Sequence, residues 1–274
     1  MRACDSDTGL ATLESCTSAV KHWYMCNHLL LNADKSEVVR FGTVNQLRSA
    51  ADDISVSVAG ESLPVASEIK SLGVILDQRL TFDAHANAVV KACNFHTKAI
   101  RHVRPLLSQS TAQTLACSLV NSRLDYCNAL MYGAPASTIK KLQRVQNIAA
   151  RAVLQSDNRA QPTALLQTLH WLPVCQRIVY KTALLTYKVQ KTSLPAYLRE
   201  HLDPYVPVRS TRSASRPLLT EPTLKTEFAR RSFSYAAPHI WNSLPGDVVL
   251  CDSLTTFKCK LKTYLFRQYF DIAA

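Results

Sequence analysis

The apolar residues of this chain change their spacing near residue 80, and that change limits the folds open to it. Between Ser36 and Asp77 they come in short runs rich in β-branched side chains, Glu37 to Phe41, Ile54 to Val58 and Ile69 to Leu76, with a turn expected at Ala59-Gly60-Glu61. Branched side chains pack well on a pleated surface, so these runs read as strands of a small antiparallel sheet. Beyond Thr81 the apolar residues recur every three to four positions, as in helices buried along one face. Helices are expected over about 82–104, 110–124, 137–155, 173–191 and 253–267. Pro105, Pro135, Pro162 and Pro173 fall between or at the start of these segments, where a missing N–H does least harm. One more helix is expected in the first 30 residues, from Leu10, Leu13, Ala19, Val20, Trp23 and Leu29 to Leu31, ending near Asn27-His28 with Trp23 on its buried face. The fold class is α+β: a small antiparallel sheet, then a mainly helical region. Residues 203–225, where Pro204, Pro207, Pro217 and Pro222 alternate with Arg209, Arg212 and Arg216, read as a basic loop.

Composition removes several function classes. With 274 residues, 47% of them hydrophobic and 19% charged, the chain can bury one sizeable core or two smaller ones and is not disordered throughout. Its six glycines are never spaced as G-x-G-x-x-G or G-x-x-x-x-G-K-[ST], which excludes Rossmann and P-loop phosphate cradles, and no G-x-S-x-G or H-E-x-x-H suggests a hydrolase. No apolar run reaches the length of a membrane span, and Met1-Arg2-Ala3-Cys4-Asp5 opens no apolar signal segment. The expectation is an intracellular protein of nucleus or cytoplasm without membrane contact. Nine cysteines without framework spacing then read as reduced thiols and small core residues. Cys26-x-His28 and Cys93-x-x-His96 lack a second ligand pair, so no metal site is expected. Trp23, Trp171 and Trp241 stand in apolar surroundings and read as core anchors.

Charge is distributed unevenly. Residues 1–80 hold 7 Lys and Arg against 10 Asp and Glu, while the remainder holds 25 against 10, a net of +15. Such an excess attracts polyanions, because each phosphate neutralised by a cation releases condensed counterions. On a helical wheel Lys140, Arg144 and Arg151, with Lys141 beside them, oppose Leu142, Val145, Ala149 and Val153. Arg177, Lys181, Lys188 and Lys191 oppose Ile178, Val179, Leu185 and Val189, and Lys91, Lys98 and His102 oppose Val89, Cys93, Ile100 and Val103. Any one stripe is explained by a solvated helix surface. Three with few acids between them also suit contacts to phosphates.

Two short blocks bring a family into view. Leu30-Leu31-Asn32-Ala33-Asp34-Lys35-Ser36-Glu37 with Val38-Val39-Arg40-Phe41-Gly42 resembles motif D of LINE and jockey-type reverse transcriptases, with Ser36 for the usual Thr. Lys70-Ser71-Leu72-Gly73-Val74-Ile75-Leu76-Asp77 with Leu80-Thr81-Phe82 resembles the following motif E, the primer-grip hairpin. The resemblance continues through Arg123 to Leu130, Lys141 to Asn147, Leu169 to Val174 and Ala237 to Pro245, so that it runs from about Leu13 to about Phe266. It implies a C-terminal portion of a non-LTR retrotransposon polymerase: a palm remnant over 1–80, a helical thumb over 81–155 and a post-thumb region over 156–274. Lys35 would be a vestigial motif D lysine, and Leu72 and Gly73 the primer-grip-like residues. The family's catalytic carboxylates precede motif D and are absent from this sequence. Ala50-Ala51-Asp52-Asp53 lies after motif D without the aromatic and reads as a solvated loop. The intact family enzyme would use Mg2+; no cofactor and no activity are expected of this chain alone. The implied partners are RNA, DNA or an RNA–DNA duplex, held through phosphates by Lys91, Lys98, Lys140, Lys141, Arg144, Arg151, Arg177, Lys181, Lys188 and Lys191, together with the upstream palm and fingers. The alternative is a non-catalytic protein-interaction module derived from the element.

Overall fold

A computed structural model describes residues 6–49, 55–58, 60–206 and 216–270. The expectations placed on Ile54, Ala59, Asp52, Asp53, Pro207, Arg209 and Arg212 lie outside the described residues. The chain divides into two compact units, residues 1–85 and 86–274. Among the described residues no helix is long and apolar enough to cross a membrane.

The first unit contains helix α1 (Ser6–Cys26), strand β1 (Val38–Val39), a short helix α2 (Val44–Arg48), and strands β2 (Ser55–Val58), β3 (Glu61–Ala66), β4 (Glu68–Ser71) and β5 (Val74–Asp77). The sheet order is β1-β3-β2: β2 and β3 pair antiparallel with Ser55 opposite Pro64, whereas β1 joins β3 in parallel with Val38 opposite Val65. Gly60, at a φ of +94°, makes the β2–β3 turn as expected. β3 was not anticipated, because Pro64 argues against a strand. β1 reaches only Val65 and Ala66, so Pro64 keeps one open side, as at a sheet edge. The run Ile69 to Leu76 is a hairpin and not one strand: β4 and β5 pair antiparallel, folded about Leu72 and Gly73.

Trp23 corrects the sequence reading, being 59% exposed. α1 docks through the opposite face, where the Glu14 carboxylate accepts from Ser57 N at 3.0 Å and Thr17 Oγ1 donates to Ser57 O. That register leaves Leu13, Val20 and Trp23 facing solvent. At the end of β5 the Asp77 carboxylate accepts from the backbone N–H groups of Arg79, Thr81 and Phe82, at 3.1, 3.0 and 2.7 Å, and fixes the turn that leads into the next helix. Beyond that turn His85 is buried, its Nδ1 accepting from Ile75 N at 3.5 Å while its Nε2 has no partner.

The second unit is helical: α3 (Asp83–Val103, which starts at the junction), α4 (Gln109–Ala116), a π turn (Cys117–Asn121), α5 (Ser122–Asp125), α6 (Ala136–Leu154), α7 (Pro162–Thr168), α8 (Val174–Thr192), α9 (Ala196–Arg199), α10 (Phe233–Ser243), α11 (Gly246–Val249) and α12 (Leu254–Phe270). All five helices expected beyond Thr81 are present. α7, α9, α10 and α11 were missed, being short or, in α10, carrying Pro238 in the interior. A proline there removes a backbone hydrogen bond. Burial of Ala236, Ala237, Ile240 and Trp241 around it offsets the loss.

Two apolar clusters fill this unit. One gathers Cys93, Ile100, Val120, Leu124, Leu142, Val145, Val153, Leu166, Trp171 and Ile178, so it continues past residue 155. The other gathers Leu172, Tyr187, Leu202, Trp241, Leu244, Phe257, Leu261 and Leu265, with Tyr187 stacked on Phe257 at 4.1 Å. α8 serves both. Trp171 and Trp241 are core anchors as expected. Every described cysteine is free, but only Cys93 and Cys251 are buried, so most are not the core residues anticipated.

A chain of polar contacts joins α5, α6 and the start of α8. Gln146, fully buried, donates to Leu172 O at 2.9 Å; Gln143 accepts from Val174 N at 2.8 Å and donates to Gln146 Oε1 at 3.0 Å. Arg177 donates through Nε to the same Leu172 O and pairs with Asp125 at 2.6 Å. The blocks around Asp125, Gln146 and Leu172 are thus one structural device.

Two predictions follow from these contacts. Burial holds the His85 pKa below its ordinary value of 6.5. The unfolded chain therefore binds a proton more readily, and the stability due to neutral His85 is present above pH 6.5 and lost as pH falls below it. Hydrogen exchange of residues 68–77, corrected for intrinsic rate, should show weaker protection at pH 5.5 than at 7.5; equal protection rules this out. Asp125→Ala strands a guanidinium whose side chain is only 15% exposed, and with the carboxylate partly in solvent we expect a loss of about 1–3 kcal/mol. Urea unfolding should show it, against less than about 0.5 kcal/mol for Lys140→Gln at the surface.

Candidate nucleic-acid interface

α3 and α6 are tied at both ends. Lys141 Nζ donates to Asn87 Oδ1 at 3.1 Å near their N-termini, and Arg104 Nε donates to Val153 O at 2.8 Å near their C-termini. The order of these ties means that the helices run in the same direction, and two of the three basic stripes flank one seam. From Asp83, where α3 begins, to Asp157, just past α6, there are nine cations, Lys91, Lys98, Arg101, Arg104, Arg123, Lys140, Lys141, Arg144 and Arg151, against three acids, Asp83, Asp125 and Asp157. Asp125 is engaged by Arg177, so cations far outnumber the remaining acids and the field of this stretch is positive.

The candidate residues differ in their freedom. Lys91, Lys98, Lys140, Arg144, Lys181 and Lys188 are exposed and extend from their helices into solvent. Lys141 is half-buried and held by Asn87. Lys191 lies with Nζ 5.8 Å from the centre of the Tyr187 ring. Arg177 leaves the α8 stripe altogether, because both of its donors described above serve the protein interior. Arg151 is half-buried, donating to Ala160 O at 3.3 Å. The α8 lysines have no described contact that joins them to the α3–α6 seam.

Phe95 was overlooked in the sequence. It is 72% exposed and stands between Lys91 and Lys98 on the solvent face of α3. Its spacing of four and three residues from those lysines was a readable signal. An exposed ring among cations offers a base a stacking surface.

Outside the seam, Lys35 is exposed at the end of a 3-10 turn, Ala33–Lys35. Leu72 and Gly73 form the β4–β5 turn with φ of 47° and 84°, and Leu72 is 88% exposed. A leucine in the left-handed region is unfavourable, and its bulk is presented outward. Among the described residues no group of three or more His, Cys, Asp or Glu could hold a metal ion. Cys26 is exposed with its Sγ 3.5 Å from His22 Nε2, and Cys93 is buried with its thiol pushed up to about 11 by burial.

Comparisons with protein-family models, curated proteins and solved structures found no match to this chain.

Proposed function

We propose that the chain is the C-terminal part of a LINE-type reverse transcriptase and binds nucleic acid duplexes through backbone phosphates along the α3–α6 seam. The observation that carries the binding is the excess of nine cations over three acids across residues 83–157, with one of those acids, Asp125, engaged by Arg177. Contacts of this kind neutralise phosphates without reading bases, and exposed Phe95 adds a sequence-tolerant stacking surface among the α3 lysines. The origin is supported by the order of the motif D-like and motif E-like blocks and by the outward Leu72-Gly73 turn between β4 and β5. Polymerase chemistry needs carboxylates holding two metal ions, which activate the attacking oxygen and stabilise the leaving one. No catalytic step is proposed for this chain.

A second reading is favoured by a different observation. α1 exposes Leu13, Val20 and Trp23 along one side, an apolar surface suited to a protein partner. In the first reading that partner is the upstream part of the polymerase; in the second, protein binding is the whole function and the charge serves solubility.

Salt separates them. Duplex RNA–DNA should bind with micromolar or weaker affinity at physiological salt, and the logarithmic salt slope should fall by about 0.9 for each phosphate contact removed. Lys91→Gln, Lys98→Gln, Lys140→Gln and Arg144→Gln combined should lower the slope by about 3.6 units. An unchanged slope and affinity exclude the seam. Primer extension should be absent with magnesium or manganese. Template-dependent incorporation abolished by Asp52→Asn with Asp53→Asn would overturn the non-catalytic assignment.

A further inference from the structure

At the C-terminal ends of α3 and α6 lies an open cleft of about 370 Å³, lined by Arg101, Arg104 and Pro105 on one side and Arg151, Gln155, Ser156 and Asn158 on the other. Three arginines line it, and among the described residues no carboxylate does; Asp157, next in sequence to Ser156, is not part of the wall. Arg104 is only 9% exposed, yet its bonds go to two neutral carbonyls, Val153 O and Leu107 O, each at 2.8 Å. Arg151 Nε and Ser156 Oγ are buried without a partner. Arg101 is exposed and unpaired among the described residues. Buried charge is normally matched by a counterion, and buried donors by an acceptor. Both are missing here. The negative end of α6 compensates part of the charge, as Arg104 caps Val153 O, but it leaves the Arg151 and Ser156 donors unmet.

We propose that this cleft is a binding site for one phosphate group. A tetrahedral phosphate anion, doubly charged as free phosphate or a strand-end monoester and singly charged in a backbone, supplies the charge and the several acceptor oxygens that a set of guanidinium forks and a hydroxyl can share. Arg104, fixed by its carbonyl bonds, sets the floor; Arg151 and Ser156 turn their unmet donors to the anion, and Arg101 closes over it from solvent. The phosphate comes either as free inorganic phosphate or as part of a nucleic acid. Only the second source rests on the proposed function.

Calorimetric titration of the full chain with inorganic phosphate, against chloride at matched ionic strength, tests the site. Binding should be seen, and Arg101→Gln should weaken it about tenfold or more, the loss expected of one charge-assisted hydrogen bond. Arg101 has no described structural partner, so this variant keeps its fold even if Arg151→Gln, which releases Ala160 O, does not. Lys258→Gln with Lys262→Gln, exposed on α12 and outside the cleft, should leave phosphate affinity unchanged. Short oligonucleotides bearing a 5′-phosphate or a 5′-hydroxyl identify the source. A preference for the 5′-phosphate that vanishes in Arg101→Gln points to a strand end; equal affinities, both lowered by Arg101→Gln, point to backbone phosphate. Binding of phosphate without either oligonucleotide keeps the cleft and refutes the nucleic-acid reading. If phosphate binds no better than chloride, or if Arg101→Gln changes nothing, the proposal fails and the arginines are helix caps alone, whatever the oligonucleotides do.

Discussion

The helical unit depends on a carbonyl, Leu172 O, that accepts from both Gln146 and Arg177. It sits where the chain turns from α7 into α8, beside Pro173, which cannot donate a backbone hydrogen bond of its own. Gln146 comes from α6, and Arg177 carries the link on to Asp125 at the end of α5. Elements distant in sequence are held in one register by groups that are costly to leave unpaired in the interior. Apolar packing alone tolerates sliding; a buried amide with a defined partner does not. The register matters for everything that follows, because it sets which face of α6 meets the core and which meets α3.

The positive field along α3 and α6 follows from that packing. Both helices bury their apolar stripes in one cluster, so their cations are left outside, and the ties at Asn87 and Arg104 hold the two outer faces together. A surface with this excess of one sign is destabilised by self-repulsion unless something neutralises it. At the cleft the same imbalance is partly buried, where solvent screens it less. The exposed lysines and the enclosed arginines are therefore different parts of one electrostatic arrangement: a broad attractive field, and at its end a place of defined shape.

The long helices were legible because their apolar residues recur at helical spacing over four or five turns, and Leu142, Val145, Ala149 and Val153 are buried as that spacing requires. α10 was not legible, because Pro238 contradicts a helix locally and only burial of Ala237 and Trp241 against the second cluster sustains it. β3 failed for the same reason at Pro64. Trp23 failed differently: α1 is a helix as expected, but polar bonds from Glu14 and Thr17 to Ser57 choose its docking face, and no wheel of apolar residues shows that. Of the candidate interface, the lysines were visible as stripes. The withdrawal of Arg177 to Asp125 was not, since that partner lies 52 residues away.

By itself, then, the sequence determined the change from short strands to amphipathic helices near residue 80, the placement of helix breaks at prolines, and the excess of cations on the helical side. These are local properties, set by side-chain spacing and composition over a few turns of chain. Only the tertiary structure decided that two of the three stripes share a seam, that one arginine of the third is consumed by an ion pair, and that Arg101, Arg104 and Arg151 meet around a cleft without a carboxylate. The physical reason is that a charge acts according to its distance from other charges and from solvent. Those distances are set by helices packing between residues far apart in sequence, as Arg104 and Val153 are by 49 positions, and no local pattern encodes them.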